Sequence, residues 1–300
     1  MEGFINFLKP PGMTSHDAVG FIRRLFQEKR VGHAGTLDPG AAGVLPIAVG
    51  RATRLIEYLD AVGKSYRAEM TFGFATDSGD DTGKVVERLD EFTMPDEAQI
   101  REVLASFTGE ITQVPPAHSD IKINGRRACD LLRAGQQVEI PSRQVQIYEL
   151  KLLQLQGNTA LIDVKCSKGT YIRSLCADIG SALGIPATMS FLVRTSAGGF
   201  SLQHSYSVEE LKDLGEKGEL ESILLPADKV ISHIPAYELA QNRVKAFCNG
   251  LLTHDRRYQE KYQPHKDVLL RVYSQGEFLG IGRYSVAQGG ILPDKVMINR

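Results

Sequence analysis

The stretch from His33 to Leu45, HAGTLDPGAAGVL, constrains what this chain can fold into more than any other. Among its last eleven residues, Gly35, Pro39, Gly40 and Gly43 are glycine or proline. That density excludes a helix interior and favours unusual backbone angles or close approach by another molecule. The segment reads as a rigid loop presenting one carboxylate, Asp38, from a surface. An isolated Leu-Asp-Pro would read as an ordinary turn without chemistry.

Short elements flank the loop. Residues 4–8 form an apolar strand ending at Lys9-Pro10-Pro11-Gly12, where the prolines withhold ladder donors. Thr14 and Asp17 have capping-box spacing, and Ala18, Val19, Ile22, Leu25 and Phe26 follow as a helical stripe with Arg23 and Arg24 off it. Tyr66, Ala68, Met70, Phe72 and Phe74 alternate with Arg67, Glu69, Thr71 and Gly73, a half-buried strand leading into the acidic loop 77–83. Ile100, Val103, Leu104 and Phe107 mark a helix between Pro95 and Gly109. Ala160, Ile162, Val164 and Cys166 alternate as a strand. After a turn at 167–170, Ile172, Leu175, Cys176, Ile179 and Leu183 form a helical face closed by Gly184. Tyr171 and Arg173 sit at that junction, where side chains and free N–H groups are exposed together and suit the handling of anions. Beyond Leu225-Pro226 the character changes. A helical stretch at 239–247 precedes a charged segment at 253–266 and a hairpin over 268–282. The boundary falls within 225–237; placed at 230, it divides residues 1–230 from a small domain, 231–300.

A chain of 300 residues holds one large domain, or a medium one plus a small one. No apolar run approaches the roughly 20 residues of a membrane span, and Met1-Glu2-Gly3-Phe4-Ile5-Asn6 opens no secretory signal, so a cytoplasmic protein is expected. Cys129, Cys166, Cys176 and Cys248 show neither Cys-x-x-Cys nor zinc-finger histidine spacing; they read as buried thiols, and no metal site is expected. The net charge of −1 argues weakly against nucleic acid, but its distribution is uneven. Acidic residues cluster between Asp77 and Glu97. Cations gather at Arg23, Arg24, Lys29 and Arg30, at Lys122, Arg126, Arg127 and Arg133, and at Arg256, Arg257, Lys261 and Lys266.

The Asp38 loop with its continuation through Leu55 closely resembles the signature loop of the TruB family of pseudouridine synthases. The resemblance extends over nearly the whole chain. Lys9-Pro10-Pro11-Gly12-Met13-Thr14-Ser15 is similar to the family's first motif, Lys64-Ser65-Tyr66-Arg67-Ala68 to its third, and the run from Ser167 to Leu175 to its fourth. Gly276–Gly282 with Leu292-Pro293-Asp294-Lys295-Val296 resembles the PUA barrel often fused to such enzymes. The resemblance implies an α+β pseudouridine synthase fold with a mixed, largely antiparallel sheet, plus a small C-terminal PUA-like β-barrel that binds RNA.

It also implies isomerisation of a uridine in the T-loop of tRNA, without cofactor or metal. Asp38 would be the nucleophile, Arg173 the arginine that pairs with it, and Tyr66 the tyrosine that stacks on the base and takes the C5 proton. Tyr171 and Leu192 would line the uracil pocket, His33 would fill the space left by the flipped base, and Lys9 would belong to the substrate-binding set. Core packing accounts equally well for Tyr66 and Leu192. The partner would be the T-arm stem-loop, with a monomeric enzyme needing neither membrane nor protein partner. Departures from the family pattern are Gly40, where a larger apolar residue is usual, Asp120 in place of a small residue and Cys129 in place of an aromatic. Rival readings are a guide-RNA-dependent pseudouridine synthase and a non-catalytic RNA-binding or RNA-folding protein. A glycoside hydrolase would need a second carboxylate, and spacing identifies none near Asp38.

Overall fold

The computed structural model describes residues 1–116, 119, 121–123, 126–128, 131, 139–254 and 256–298, with backbone alone at 60, 61, 122, 123, 126, 127 and 256. Asp120, Cys129, Arg133 and the side chains of Lys122, Arg126, Arg127 and Arg256, weighed above, lie outside the described residues.

Strands β1 (Gly3–Lys9), β2 (Val31–His33), β3 (Ala42–Val49) and β4 (Lys64–Phe72) are followed by a small pair, β5 (Phe74–Thr76) and β6 (Val85–Arg88). Then come β7 (Gly109–Gln113), a second small pair β8 (Lys122–Ile123) and β9 (Arg126–Arg127), and β10 (Arg143–Gln156), β11 (Thr159–Cys166), β12 (Ala187–Ala197) and β13 (Phe200–Ser201). Nine of these make one sheet in the order β1-β3-β12-β4-β11-β10-β7, with β2 beside β3 and β13 beside β12. The β3–β12 pair is parallel and the other ladders antiparallel, so the sheet is mixed and largely antiparallel, as expected.

The parallel crossing depends on Gly43. Its φ is +111°, and a Cβ there would lie 2.3 Å from the Arg194 carbonyl oxygen. Glycine alone lets the two backbones meet.

Helices Ser15–Leu25, Glu97–Ser106 and Ile172–Ala182 contribute to the main core with residues of β1, β3, β4, β11 and β12. The first starts where the capping box places it: Asp17 N–H donates to Thr14 Oγ1 at 3.0 Å, and Thr14 N–H to the Asp17 carboxylate at 3.1 Å. Ala18, Val19 and Ile22 are buried, while Arg23 and Arg24 face outward. One expectation needs correction. The alternation from Tyr66 ends at Phe72, because Gly73, at φ +100° and packed under the Phe92 ring, turns the chain away. Phe74 therefore belongs to the β5–β6 pair, not to β4.

The other side of β1 and β3 is buried as well. Ile5, Phe7, Leu45, Ile47 and Val49 enter the main core, whereas Phe4, Val44 and Ala48 join a second cluster with Leu55, Tyr58, Ile231, Ile234, Ile281 and Met297. Through this cluster the 3₁₀ helix Gly50–Ala61 meets the C-terminal region. There β14 (Ala236–Glu238), β15 (Thr253–His254), β16 (Val268–Ser274), β17 (Glu277–Ser285) and β18 (Gly290–Val296) form a five-stranded sheet in the order β14-β16-β17-β18-β15. It has its own core around Tyr237, Phe247, Leu270, Val272, Leu279 and Tyr284. The expected hairpin is present, turning at Gln275 (φ +52°) and Gly276 (φ +79°), the left-handed pair a tight two-residue loop uses. The hydrogen-bonded path runs in a line from β14 to β15, so the described strands give an open sheet where a closed barrel was expected. Tyr58 donates to Asp294 at 2.9 Å, Arg54 Nη1 to the Val296 carbonyl at 2.5 Å, and Lys295 pairs with Glu57 at 3.0 Å across this junction.

Burial pushes the Cys166 and Cys176 thiols up to about 11 and about 12, in keeping with inert buried residues. Among the described residues no helix is long and apolar enough to cross a membrane.

Candidate active site

The loop carrying Asp38 leaves β2 and returns as β3, and buried side chains from other elements grip its backbone. Ser15 Oγ donates to the Leu37 carbonyl at 3.0 Å and accepts from the Leu37 N–H at 2.8 Å. Lys9 Nζ, fully enclosed, donates to the carbonyls of Pro10 (2.9 Å), Met13 (2.7 Å) and Pro39 (3.3 Å). Arg194 of β12, also fully enclosed, donates to Gly35, Thr36 and Val44 carbonyls at 3.1, 3.2 and 2.7 Å. Such a loop is rigid because its polar backbone is satisfied from beneath. Burial lowers the Lys9 ammonium to about 8, with the Asp38 charge acting the other way.

Above this floor Asp38 meets Arg173. The guanidinium presents Nε to Oδ2 at 3.1 Å and Nη2 to Oδ1 at 3.4 Å, a two-pronged contact that fixes the carboxylate plane. Arg173 is itself buried and anchored: Nη1 donates to the Ser78 carbonyl at 2.9 Å and lies 3.8 Å from Asp80. The Asp80 carboxylate accepts in turn from Ser78 Oγ and from the Thr82 N–H and hydroxyl. Asp38 has a 38% exposed side chain against 6% for Arg173, so the carboxylate is held from behind and open in front.

In front lies a cleft of about 240 Å³ lined by Thr36, Leu37, Asp38, Lys64, Tyr66, Ser119, Gly169, Thr170, Tyr171, Ile172, Arg173 and Leu192. Five residues singled out from the sequence (Asp38, Tyr66, Tyr171, Arg173 and Leu192) converge there from four segments, Tyr171 and Arg173 sharing one. Lys9 lies beneath the loop, outside this lining, and His33 stands at the end of β2, also outside it. Tyr66 on β4 is the cross-strand partner of Arg194 on β12, and Leu192 pairs with Ala68 two positions along. Burial raises the Tyr66 phenol, and the neighbouring Arg194 cation opposes that rise. Tyr171 caps the helix Ile172–Ala182 without a side-chain bond of its own. Its backbone is pinned instead by Gln113, which accepts from the Tyr171 N–H at 2.8 Å and donates to its carbonyl at 3.0 Å. The Arg143 guanidinium lies 5.4 Å from the Tyr171 ring centroid.

Sequence reasoning missed Arg194, Gln113 and the place of Asp80 behind Arg173. Ser15 lies in the Lys9–Ser15 motif, but nothing in the sequence shows its grip on Leu37. An arginine amid strand residues gives no local sign of burial.

The site thus offers a carboxylate oriented by a guanidinium beside an aromatic and an aliphatic wall, a setting for nucleophilic attack on a flat ring compound. Residues 23–172 match the TruB family pseudouridylate synthase N-terminal domain, and residues 173–232 the tRNA pseudouridylate synthase B C-terminal domain. The chain is 43% identical over 287 residues to the tRNA pseudouridine synthase B of Clostridioides difficile strain 630, covering 95% of each protein. It is 44% identical over 293 residues to that of Caldanaerobacter subterraneus subsp. tengcongensis, covering 96% of each. Among solved structures it resembles a chain of a Cbf5-Nop10-Gar1 complex (TM-score 0.74, 27% identity, 99% of this chain and 85% of that one). A chain of an H/ACA RNP bound to a substrate RNA containing 2′-deoxyuridine is similar at TM-score 0.73 and 26% identity, over 99% of this chain and 86% of that one.

Proposed function

The chain belongs to the TruB family of pseudouridylate synthases, and from that membership we propose that it isomerises a uridine in the T-loop of tRNA to pseudouridine, with Asp38 as the nucleophile. The observation that carries the assignment is the two-pronged Arg173–Asp38 contact opening onto a cleft shared with Tyr66, Tyr171 and Leu192. At about 240 Å³ the cleft lies below the ~300–1,000 Å³ of drug-sized sites, and so suits a single base with the rest of the RNA outside.

In this reading the target base leaves its stack at about a few kcal/mol and enters the cleft. Asp38 attacks C1′ and displaces the ring at N1, the freed uracil anion turns, and C5 displaces Asp38 as the C5–C1′ bond forms; the C5 proton then leaves and N1 takes one up, so the net change is an isomerisation. Tyr66 stacks on the ring and takes the C5 proton, while Arg173 keeps the carboxylate aimed. Tyr171 and Leu192 confine the ring, and His33, at the end of β2, fills the space the base vacated. Lys9 serves the substrate through the loop it supports. The reaction rearranges one molecule and consumes no external donor.

Residues 1–230 form the catalytic domain, and the five-stranded sheet of 231–300 is a PUA-like RNA-binding unit; its separate core supports that division. The enzyme acts as a cytoplasmic monomer.

Asp38→Asn keeps size and loop geometry while removing the charge. Conversion of an unmodified T-arm stem-loop should be lost, with RNA affinity kept within about tenfold, roughly 1.4 kcal/mol. Normal turnover would remove Asp38 from its role. The likeness to chains of H/ACA complexes favours a second reading, guide-dependent modification. Conversion of the stem-loop by the purified chain with no guide RNA present would eliminate it.

A further inference from the structure

A fully enclosed arginine that pairs with main-chain carbonyls is unusual, because burying a charge costs several kcal/mol unless its surroundings recover it. Arg194 is such a residue. Its donors go to the carbonyls of Gly35, Thr36 and Val44, which bracket Asp38 on both sides, and among the described residues no carboxylate pairs with it. A neutral side chain could close the same space without that penalty. Arg194 also stands directly across the ladder from Tyr66, and its positive charge opposes the rise that burial imposes on the Tyr66 phenol.

We propose that Arg194 is a positioning residue, a buried clamp that locks the Asp38 loop and the Tyr66 phenol into one rigid unit. It touches no substrate. The loop carbonyls fix where Asp38 stands relative to Arg173, and the cation beside Tyr66 favours the phenolate that accepts a proton. Asp38 and Cys166 oppose the phenolate, while the cations Lys64 and Arg173 share the cleft with Tyr66. Lys64 Nζ and Arg194 Nη1 both stand close to Gly35, which adds a second cation beneath the loop but not a second fork.

The inference rests on the reading of Asp38 and Tyr66 as reacting groups. If Asp38→Asn stays active, that reading fails first; if it is inactive, the following results concern Arg194 alone. The full-length Arg194→Gln and Arg194→Lys variants are compared with the parent for stem-loop affinity, single-turnover rate at saturating RNA, and the pH dependence of that rate. Affinity should hold while the rate falls about 100-fold in Arg194→Gln, the penalty of a misplaced reacting group, with partial rescue by lysine. The rise of rate with pH should move to higher pH in Arg194→Gln and stay near the parent's in Arg194→Lys. A parent-like rate, a joint fall of rate and affinity, or a rate loss with an unmoved pH profile would overturn the proposal. Should neither variant fold, Tyr66→Phe decides. It should shift the ¹⁵N guanidinium signal of one slowly exchanging arginine, and an unshifted signal would end the idea.

Discussion

At the scale of single residues, the site is set by planar groups meeting planar groups. Arg173 reaches Asp38 with two nitrogens and Ser78 with a third, a geometry that a lysine ammonium cannot copy. Arg173→Lys should therefore lower the single-turnover rate sharply while leaving stem-loop affinity nearly unchanged; a loss of affinity with normal chemistry would make Arg173 an RNA contact instead. Lys9 offers a test by pH. Its folded value of about 8 lies below the ordinary 10.5, so between these limits the folded protein holds fewer protons than the unfolded chain. Stability then rises with pH across that window, by an amount on the order of 3 kcal/mol, because the burial penalty of the cation is relieved. The urea midpoint of the parent measured against Lys9→Met should climb from pH 8 to 10.5, and a flat difference would show that Lys9 titrates elsewhere. Asp38, Tyr66 and Arg173 were legible because each sits in a distinctive motif. Arg194 and Gln113 were not, because their roles exist only after distant segments pair: Arg194 reaches the loop across the β3–β12 crossing, and Gln113 reaches Tyr171 from 58 positions away.

At the scale of elements, legibility followed exposure. β4 and β11 have one face in the main core, and their alternation showed. So did the capping box before the helix Ser15–Leu25 and the turn between β16 and β17. β3 could not be read this way: Ala42–Val49 is buried on both faces, one against the main core and one against the second cluster, so its sequence carries no period of two. β10 and β12 hide for another reason, since register shifts at Ile147/Glu149, Leu152/Gln154, Met189/Phe191 and Arg194/Ser196 break any alternation. The glycines of the Asp38 loop also separate into two kinds. At Gly43 a Cβ would strike the Arg194 backbone at 2.3 Å, in a left-handed conformation; at Gly40 nothing lies within 4 Å. Gly43→Ala should cost about 3 kcal/mol and most of the activity, because it pries apart the strands that hold Arg194 under the loop. Gly40→Ala should be neutral or slightly stabilising in the same thermal-unfolding and turnover assays. Equal effects at the two positions would mean that the loop is not held by the β3–β12 crossing.

At the scale of the whole molecule, the two sheets are joined by an apolar seam and are not beads on a tether. Ile231, Ile234, Ile281 and Met297 pack with Phe4, Val44 and Ala48 behind the very strands that carry the Asp38 loop. Arg271 of β16 ties the connection down by donating to the carbonyls of Asp228, Ser232 and Ile234. Cutting the chain near residue 231 would strip this seam and expose apolar surface, so a loss of RNA affinity on truncation would mix folding with binding. The intact chain gives a cleaner test. Arg243, His254 and Arg257 line a cleft of about 650 Å³ in the C-terminal region that shares no lining residue with the Asp38 cleft. If that face holds RNA by its phosphates, each cation there contributes through counterion release. Arg243→Ala and Arg257→Ala, made in the full chain, should each weaken stem-bearing tRNA and reduce the slope of log affinity against log salt by about 1. The single-turnover rate at saturating RNA should stay at the parent level, since Asp38, Tyr66 and Arg173 all belong to the first sheet and the helix packed on it. An unchanged salt slope with unchanged affinity would remove the C-terminal sheet from RNA recognition and leave binding to the cations around the catalytic cleft.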